Sequence, residues 1–233
     1  MKLSVTIITL NEEKNLTKCL ESVKNIADEI IVIDSGSTDE TVKIAKKFGA
    51  RVFFRKFDNY ANQKNFALEK TGGDWILSID GDEEITQELA PEIEEVTKST
   101  IYSAYSIPRK NIIFGKFIKY TRWQPELDRH VWLWKKGMGK WVGEVHEELE
   151  VRGKIGKLKN PKIHYQYDTV SEFLTMMNKY SSLETKNENP IYHFLVRYFY
   201  RLGFLDGWRG FVLSYLMAIY YLEIWVKKWE RQI

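Results

Sequence analysis

Hydrophobic and polar positions follow two alternating periods along the first hundred residues. Short apolar runs typical of buried strands lie at 4–10, 30–33, 51–54 and 75–79. In the segments between them apolar residues recur at helical spacing, which is typical of helices that cover a sheet. This alternation predicts right-handed crossovers, and therefore an α/β fold with a mostly parallel sheet.

Local signals predict where the helices begin and end. The first helix is expected to begin at Asn11, with acidic residues in its first turn. Its buried face would consist of Leu16, Cys19, Leu20 and Val23. Residues 37–40 have the form of a capping box that opens a second helix, which ends at Gly49. A third helix is expected over 60–70.

The pattern changes from Ile101 onward. Strand-like runs at 102–107 and 131–134 are separated by basic, aromatic and glycine-containing segments, and an amphipathic helix follows at 170–187. We therefore expect three functional segments. They are a βαβ half at 1–95, a mixed, partly antiparallel extension at 96–168 and a helical C-terminal segment at 169–233.

The composition is that of a folded globular chain. Its 233 residues are 44% hydrophobic, enough to bury a core in one large domain with or without an appendage. The single cysteine, Cys19, excludes an internal disulfide. A formal net charge of +3, without helix-turn-helix or zinc-finger spacing, argues against nucleic acid as a partner. The N-terminal apolar run is predicted to be a strand and not a signal peptide.

Polar residues follow the predicted strands at one edge of the sheet. Thr9 and Asn11 follow the first strand, Asp34 the second, and Asp80 and Asp82 the fourth. Ligands of open parallel sheets bind at this edge. Residues i and i+2 of an extended chain face the same way, so the two neighbouring aspartates can bind one Mg²⁺ together with substrate phosphates. The pattern favours a nucleoside diphosphate; the alternative is an ordinary acidic turn.

The same edge lacks the loops of other nucleotide folds. Neither Gly-x-Gly-x-x-Gly nor Gly-x-x-x-x-Gly-Lys-Ser/Thr follows the first strand. Glu12 and Glu13 would repel phosphate from the N-terminus of the first predicted helix. Residues 107–163 hold fourteen Lys or Arg against six Asp or Glu, a net charge of +8. That region is suited to an anionic substrate or a membrane surface, with a solvated basic face as the alternative.

Several short motifs occur in a particular order. They are Asn11-Glu-Glu13, Asp34-Ser-Gly-Ser-Thr-Asp39, Gln63-Lys-Asn65, Asp80-Gly-Asp-Glu83, Trp141-Val-Gly-Glu-Val-His-Glu147 and Gly203-Phe-Leu-Asp-Gly207. In this order the chain resembles family 2 glycosyltransferases, and more closely their lipopolysaccharide-core glucosyltransferase-like subgroup. The resemblance implies a GT-A fold, with a mostly parallel Rossmann-like sheet, a mixed extension and C-terminal helices.

The resemblance also implies a donor site. Its nucleotide-binding residues would be Thr9, Asn11, Glu12, Asp34, Lys64 and Asp80. Asp34 would contact the base, Asp80 would lie near the ribose, and Asp82 would bind the Mg²⁺ or Mn²⁺ that holds the diphosphate. Lys64 stands where the family commonly has an arginine, so it can neutralise phosphate only as a point charge.

Inversion at the sugar, which the resemblance implies, requires a base on the acceptor side. The candidates are Glu126, Asp128, Glu144, Glu147 and Glu148. Glu147 is preferred because the His146-Glu147 pair matches the subgroup motif, although the family more often has an aspartate and Glu147 could be a surface residue. His146 could serve catalysis, bind metal or phosphate, or be an ordinary histidine. Trp141 is the candidate acceptor contact, with core packing as the alternative.

The C-terminal segment 190–233 is basic and rich in aromatic residues. Its uncharged run, 210–222, has thirteen residues and is too short for a bilayer span, which takes about 20. This composition suits a helix that lies in a membrane interface and meets a lipid-linked acceptor. The alternatives are packing on the catalytic domain or an interface between copies of the chain.

Together these features predict an inverting, metal-dependent glycosyltransferase. It would move a hexose, with glucose as one candidate, from a UDP-linked nucleotide sugar to a glycan or glycolipid of the cell envelope. The expected location is the cytoplasm or the inner face of its membrane. One alternative is a nucleotidyltransferase, which should have a glycine-rich basic loop after the first strand. Another is a noncatalytic sugar-nucleotide or glycolipid binding module, against which Asp80, Asp82 and Glu147 argue.

Overall fold

A computed structural model describes residues 1–98, 101–143, 147–184 and 188–232. Its strands are β1 (Leu3–Thr9), β2 (Glu29–Asp34), β3 (Arg51–Phe54), β4 (Trp75–Asp80), β5 (Glu83–Ile85), β6 (Ala104–Ile113), β7 (Lys116–Phe117), β8 (Arg129–Lys135), β9 (Gly139–Val142), β10 (Glu148–Val151), β11 (Ile155–Lys157) and β12 (Lys162–Tyr167). Its α-helices are α1 (Leu16–Val23), α2 (Thr41–Lys47), α3 (Tyr60–Glu69), α4 (Leu89–Thr97), α5 (Val170–Leu183), α6 (Pro190–Leu195) and α7 (Trp208–Glu230).

The chain forms two compact units. The first contains residues 1–109 and 129–164, and the second contains residues 110–128 and 165–233. The division of function at residues 95 and 168 stays a prediction, because compactness alone does not assign a role to either segment.

The sheet of the first unit confirms the predicted α/β class. Strands β3, β2, β1 and β4 lie side by side and are parallel, whereas β8 and β6 continue the sheet in antiparallel pairings. The central strands are buried on both faces, which explains their almost continuous apolar sequences. Thr9 pairs with Asp34, and Ile8 pairs with Asp80. The polar strand ends therefore meet at one edge, as expected.

The first two helices begin later than predicted. Helix α1 begins at Leu16, because Asn11 has a left-handed backbone (φ 56°) and its amide donates to Ser37 Oγ at 2.9 Å. The Ser37 hydroxyl donates in turn to Asp34 and does not cap a helix, so α2 begins at Thr41 without a capping box. Glu12 therefore belongs to a loop. The prediction that the first helix begins at Asn11 is wrong, because its N-terminus is at Leu16.

Only the first aspartate of the pair lies in an extended strand. Strand β4 ends at Asp80, and Gly81 and Asp82 form a turn before β5. A Cβ atom on Gly81 would lie 3.1 Å from both Thr9 Cγ2 and Glu12 Cγ. Gly81 therefore permits a close approach between this turn and the loop after β1. The expectation that Asp80 and Asp82 face the same way in an extended chain does not apply to a turn.

The second unit is built around α7. Helix α5 begins with a capping box formed by Thr169 and Glu172, and Phe173 packs with Leu213 and Met217 in a shared core. The Asp206 carboxylate accepts the backbone amides of residues 119 and 120. At 23 residues α7 is longer than the uncharged run suggested. By length and composition alone it could cross a membrane, although 39% of its most apolar stretch is buried in the protein.

Candidate active site

The loop after β2 is organised by Asp34. Its Oδ2 accepts the amides of Gly36 and Ser37 at 2.8 and 2.9 Å, and its Oδ1 accepts the Ser37 hydroxyl. Thr9 Oγ1 lies 3.4 Å from Oδ1. These donors hold the carboxylate, which is 4% exposed, and shape the strand edge. Base recognition by Asp34 stays a prediction, and Asn11 and Thr9 support the same loop.

Three carboxylates crowd the turn after β4. Glu12 packs against Gly81, with Asp82 and Asp80 nearby. Burial, together with the negative charges of Asp82 and Asp80, raises the pKa of Glu12 to about 7, although Asn15 donates a hydrogen bond that opposes the shift. The charged groups that act on Glu12 are therefore negative, and a cation bound beside them would relieve their repulsion.

Replacing Glu12 with glutamine should stabilise the protein at alkaline pH. Since its folded pKa is raised, Glu12 favours folding when protonated and loses that contribution as pH rises from about 4.5 to about 7. In buffer with a chelator, we expect the variant to exceed the wild type by about 1.5 kcal/mol at about pH 8, after solvent screening, and to differ little below about pH 4. Urea unfolding would measure this.

Glu13→Gln is the matched control, because Glu13 is the exposed neighbour in the same loop. An equal alkaline gain in both variants would show that net charge, and not the crowded corner, causes the effect.

Three consecutive residues of α3 connect separate parts of the site. Gln63 donates to Ser35 Oγ at 2.9 Å. Asn65 exchanges two hydrogen bonds with the backbone of Trp141, at 2.8 and 3.0 Å. Lys64, between them, points to the β4 edge and is 2% exposed. Successive residues point in different directions around a helix, which is why one short motif can reach three elements.

Lys64 brings Asp80 and Glu147 together. Its Nζ lies 3.4 Å from Asp80 Oδ1 and 2.9 Å from Glu147 Oε1. Burial alone would lower the pKa of Lys64, but the two carboxylates raise it above its ordinary value. Burial alone would likewise raise the pKa of Asp80, and Lys64 and other cations lower it. Asp80, which is predicted to lie near the ribose, and the candidate base Glu147 therefore share one ammonium group.

Tryptophan rings surround this ammonium. Lys64 Nζ lies 4.7 Å from the centre of the Trp141 ring and 5.1 Å from that of Trp132. Trp141 is only 3% exposed and packs edge-on against Trp134. Trp141 is therefore a core residue beneath the site. Its observed contacts are those of core packing, the alternative that the sequence left open. A contact with the acceptor stays a prediction.

A second buried ion pair supports the turn from below. Glu83 and Lys162 are both fully buried and bonded to each other, and Glu83 Oε2 also accepts the amide of Asp80 at 3.0 Å. Lys162 Nζ lies 3.4 Å from the centre of the Trp132 ring. On the same strand, His164 Nε2 lies 3.4 Å from Asp82 Oδ2. Strand β12 thus brings two basic side chains to the acidic turn.

Comparison with known proteins identifies this arrangement. The sequence profile described as "Glycosyl transferase family 2" matches residues 4–148. The chain belongs to this family. An uncharacterized glycosyltransferase of Rickettsia typhi is 34% identical over 93% of this chain and 83% of its own length. The lipopolysaccharide core biosynthesis glycosyltransferase LpsC of Rhizobium meliloti is 30% identical over 99% of this chain and 93% of its own.

The fold of this glycosyltransferase is GT-A. The crystal structure of S. aureus TarS residues 1–349 superposes with a TM-score of 0.52, at 18% identity, over 94% of this chain and 81% of that one. Family membership makes the chain a transferase of glycosyl groups and leaves the nucleotidyltransferase alternative without support.

The acidic turn of this glycosyltransferase offers ligands for the metal that the resemblance implies. Asp82 and His164 offer an oxygen and a nitrogen ligand, and the buried Oδ1 of Asp80 accepts no hydrogen bond from the described residues. Within the described ranges, no group of three or more His, Cys, Asp or Glu is arranged to hold an ion. Carboxylate oxygens suit Mg²⁺ and Mn²⁺, and Mg²⁺ is often bound by one or two carboxylates together with substrate phosphates. These metal ligands therefore fit a cation that is shared with a diphosphate.

Four residues that form this site are absent from the set predicted from the sequence. They are Glu83, Arg109, Lys162 and His164. Alternate positions of β12 place Lys162 and His164 on one face, but no strand was predicted there, and nothing in the local sequence says which strand they oppose. Conversely, His146 and Glu144 were candidates and lie outside the described residues.

Proposed function

We propose that this glycosyltransferase is an inverting, metal-dependent enzyme that transfers a hexose from a UDP-sugar to a glycan or glycolipid of the cell envelope. One observation carries the proposal: Lys64 lies 3.4 Å from Asp80 and 2.9 Å from Glu147. A donor-side carboxylate and a candidate base therefore lie at one place, which simple binding of a nucleotide does not require. This contact favours catalysis over a noncatalytic binding module.

The donor is proposed from the site and from the names of similar proteins. The acidic turn suits a diphosphate held by a cation, and TarS, of similar fold, has been crystallised with UDP-GlcNAc. LpsC, which is similar along almost the whole chain, is named for lipopolysaccharide core biosynthesis. These names support a nucleotide sugar as donor and an envelope saccharide as acceptor.

The residues divide the chemistry between leaving group and nucleophile. Asp82 and His164 would hold the divalent cation, which when bound neutralises the charge that develops on the departing diphosphate. Lys64 is placed to hold Asp80 ionised beside the ribose and to orient the carboxylate of Glu147. Glu147 would then accept the proton of the attacking acceptor hydroxyl, as inversion by a single displacement requires. The buried Trp141 and Trp132 exclude water from this ammonium.

The experiment that tests the proposal is a screen of nucleotide sugars with the purified protein. We expect slow hydrolysis of one UDP-hexose in the presence of Mg²⁺ or Mn²⁺, and its loss when a chelator is added. Binding of UDP-sugars without hydrolysis, and without transfer to any lipopolysaccharide-core acceptor, would favour the noncatalytic alternative.

Replacing Glu147 with glutamine should abolish transfer while sparing donor binding. Glutamine keeps the shape of the side chain but cannot accept the proton, and loss of a general base typically costs about 10²- to 10⁴-fold in rate. Initial rates and UDP affinity by calorimetry would measure both effects.

Glu148→Gln is the matched control, because Glu148 is the exposed neighbour at the start of β10 and was also a candidate base. Transfer at wild-type rate by Glu147→Gln would exclude Glu147, and loss in Glu148→Gln alone would assign the base to Glu148.

A further inference from the structure

Helix α7 is apolar on two opposite sides. One side is buried within the second unit at Leu213, Leu216, Met217 and Ile224. The other side is exposed. Its exposed residues from 208 to 229 are Trp208, Phe211, Tyr215, Ile219, Leu222, Trp225, Val226 and Trp229, each between 39% and 64% exposed. None of them is charged, and the face extends for about 30 Å along the helix.

This exposed face continues onto the segment that precedes α7. The Phe211 ring contacts the rings of Phe194 and Tyr198, at 5.9 and 5.6 Å between centres. Tyr198 in turn contacts Phe199 and Phe204, which are 55% and 44% exposed. We call the exposed side of α7 together with these rings the aromatic face. It is one continuous surface of the second unit.

A surface of this kind is unusual for a helix whose outer side meets water. Such helices carry polar residues on the outer side, and helices that are apolar all round are covered. Contiguous exposed apolar patches mark interaction sites. Trp208 and Trp229 stand near the two ends of the face and Tyr215 between them. Tryptophan and tyrosine, each with an apolar ring and a polar atom, are enriched at membrane–water interfaces.

Cationic side chains lie at the margins of the aromatic face. Arg209 lies in the first turn of α7, Lys227 and Lys228 lie in its last turn, and its C-cap is Arg231. Near the preceding segment, Arg201 and Lys119 line a cavity of about 400 Å³ together with Tyr200, Gln124 and Glu126. Arg201 Nε and Gln124 Oε1 are buried there and bond to none of the described residues. From 197 to 231 the chain holds six Lys or Arg against three Asp or Glu, a net charge of +3 that complements anionic headgroups.

We propose that the aromatic face lies in the interface of an anionic lipid bilayer, with α7 parallel to the membrane plane. Apolar area and cationic margins are the two determinants of such binding. A second copy of the chain would bring the same positive margin to the contact, whereas anionic lipids neutralise it. The inference concerns a surface of the second unit and does not depend on the donor or base assignments.

The polar contacts of α7 argue against a transmembrane orientation. Lys227 Nζ bonds to Asn178 Oδ1 and to the hydroxyls of Ser181 and Ser182, all on α5. Arg231 donates to the backbone of Ser182. A spanning α7 would carry this polar helix into hydrocarbon, where each unsatisfied group costs several kcal/mol. In the plane of the membrane, α5 stays on the water side.

The test is cosedimentation of the full chain with vesicles of phosphatidylcholine, with and without phosphatidylglycerol. We expect binding to the anionic vesicles that weakens with added salt. The double variant Leu222→Ser/Trp225→Ser should bind about tenfold or more weakly, because it removes apolar area from the face. Lys228→Gln should weaken binding to anionic vesicles only. Ile101→Ser is the matched control, since Ile101 is 70% exposed in the first unit and should bind like the wild type.

Three outcomes would overturn the proposal. They are no binding to either vesicle, equal binding by the double variant and the wild type, or light scattering that shows a dimer lost in the double variant without any lipid binding. Retention in alkali-washed membranes would instead show that α7 spans the bilayer. Circular dichroism checks that each variant is folded. Hydrolysis of the donor without lipid should be unchanged in all of them, so a failure of lipid binding is distinguishable from a failure of the proposed function.

Discussion

Asp82→Asn is expected to lower the rate of glycosyl transfer by about a hundredfold or more, with little change in stability. Asparagine keeps the size of the side chain but removes the charge that would hold a cation on the diphosphate, and loss of one such electrostatic group commonly has an effect of this size. Since Asp82 is in a turn and 25% exposed, its replacement leaves no buried charge unpaired. Initial rates over a range of Mn²⁺ concentrations would measure the loss.

Asp74→Asn is the matched control. Asp74 precedes the same strand at its other end, where it accepts the amide of Lys2 at 2.8 Å. We expect this variant to keep the wild-type rate. If Asp82→Asn kept the wild-type rate and its dependence on the cation, the role of Asp82 would be wrong, and Asp80 with its buried Oδ1 would be the next candidate.

The donor edge of the site was predictable because it follows from local sequence. Strand–helix alternation predicts a parallel sheet, and in such a sheet Thr9, Asp34 and Asp80 must lie at neighbouring strand ends. The parallel sheet does pair Thr9 with Asp34 and Ile8 with Asp80. The start of α1 was not predictable in the same way, because the Asn11 loop is held by Ser37 and Thr38, which are distant in sequence.

The buried ion pair of Glu83 and Lys162 beneath the site was also not predictable from local sequence. Glu83 and Lys162 are 79 residues apart and both fully buried, a state that sequence patterns assign to apolar residues. Only the antiparallel pairing of β5 with β12 explains it, because that pairing brings Lys162 opposite Ile85 and His164 opposite Glu83. The register between strands that are distant in sequence is known only from the folded sheet. Until the partner strand is known, buried charged residues such as Glu83 and Lys162 resemble surface residues in the sequence.

Lys64 shows how stability and function depend on one another in this site. It is 2% exposed, and its two carboxylate partners are 28% and 19% exposed. Carboxylate partners stabilise a buried ammonium of this kind, since an unpaired buried charge is costly. The contacts that bring the candidate base Glu147 to Asp80 therefore also contribute to the stability of that corner.

Lys64→Met should accordingly destabilise the protein by about 3 kcal/mol, because it leaves Asp80 and Glu147 without their shared cation. Lys70→Met is the matched control. Lys70 is the C-cap of the same helix and its side chain is 28% exposed, so its loss should cost less than about 1 kcal/mol. Urea unfolding followed by circular dichroism would measure both variants. Equal costs would mean that the ion pairs of Lys64 contribute no more than a surface contact.

The stability difference between the wild type and Lys64→Met should depend on pH, because it arises from ionised groups. The pKa of Asp80 is lowered, so its contribution is present above its unfolded pKa of about 4 and is lost as pH falls through the folded value. The pKa of Lys64 is raised, so its contribution is present below its unfolded pKa of about 10 and is lost as pH rises through the folded value. The gap between wild type and Lys64→Met should therefore be widest from about pH 5 to about pH 9 and should narrow at both extremes. A gap that does not change with pH would show that lost packing against Trp132 and Trp141, and not lost charge, causes the destabilisation.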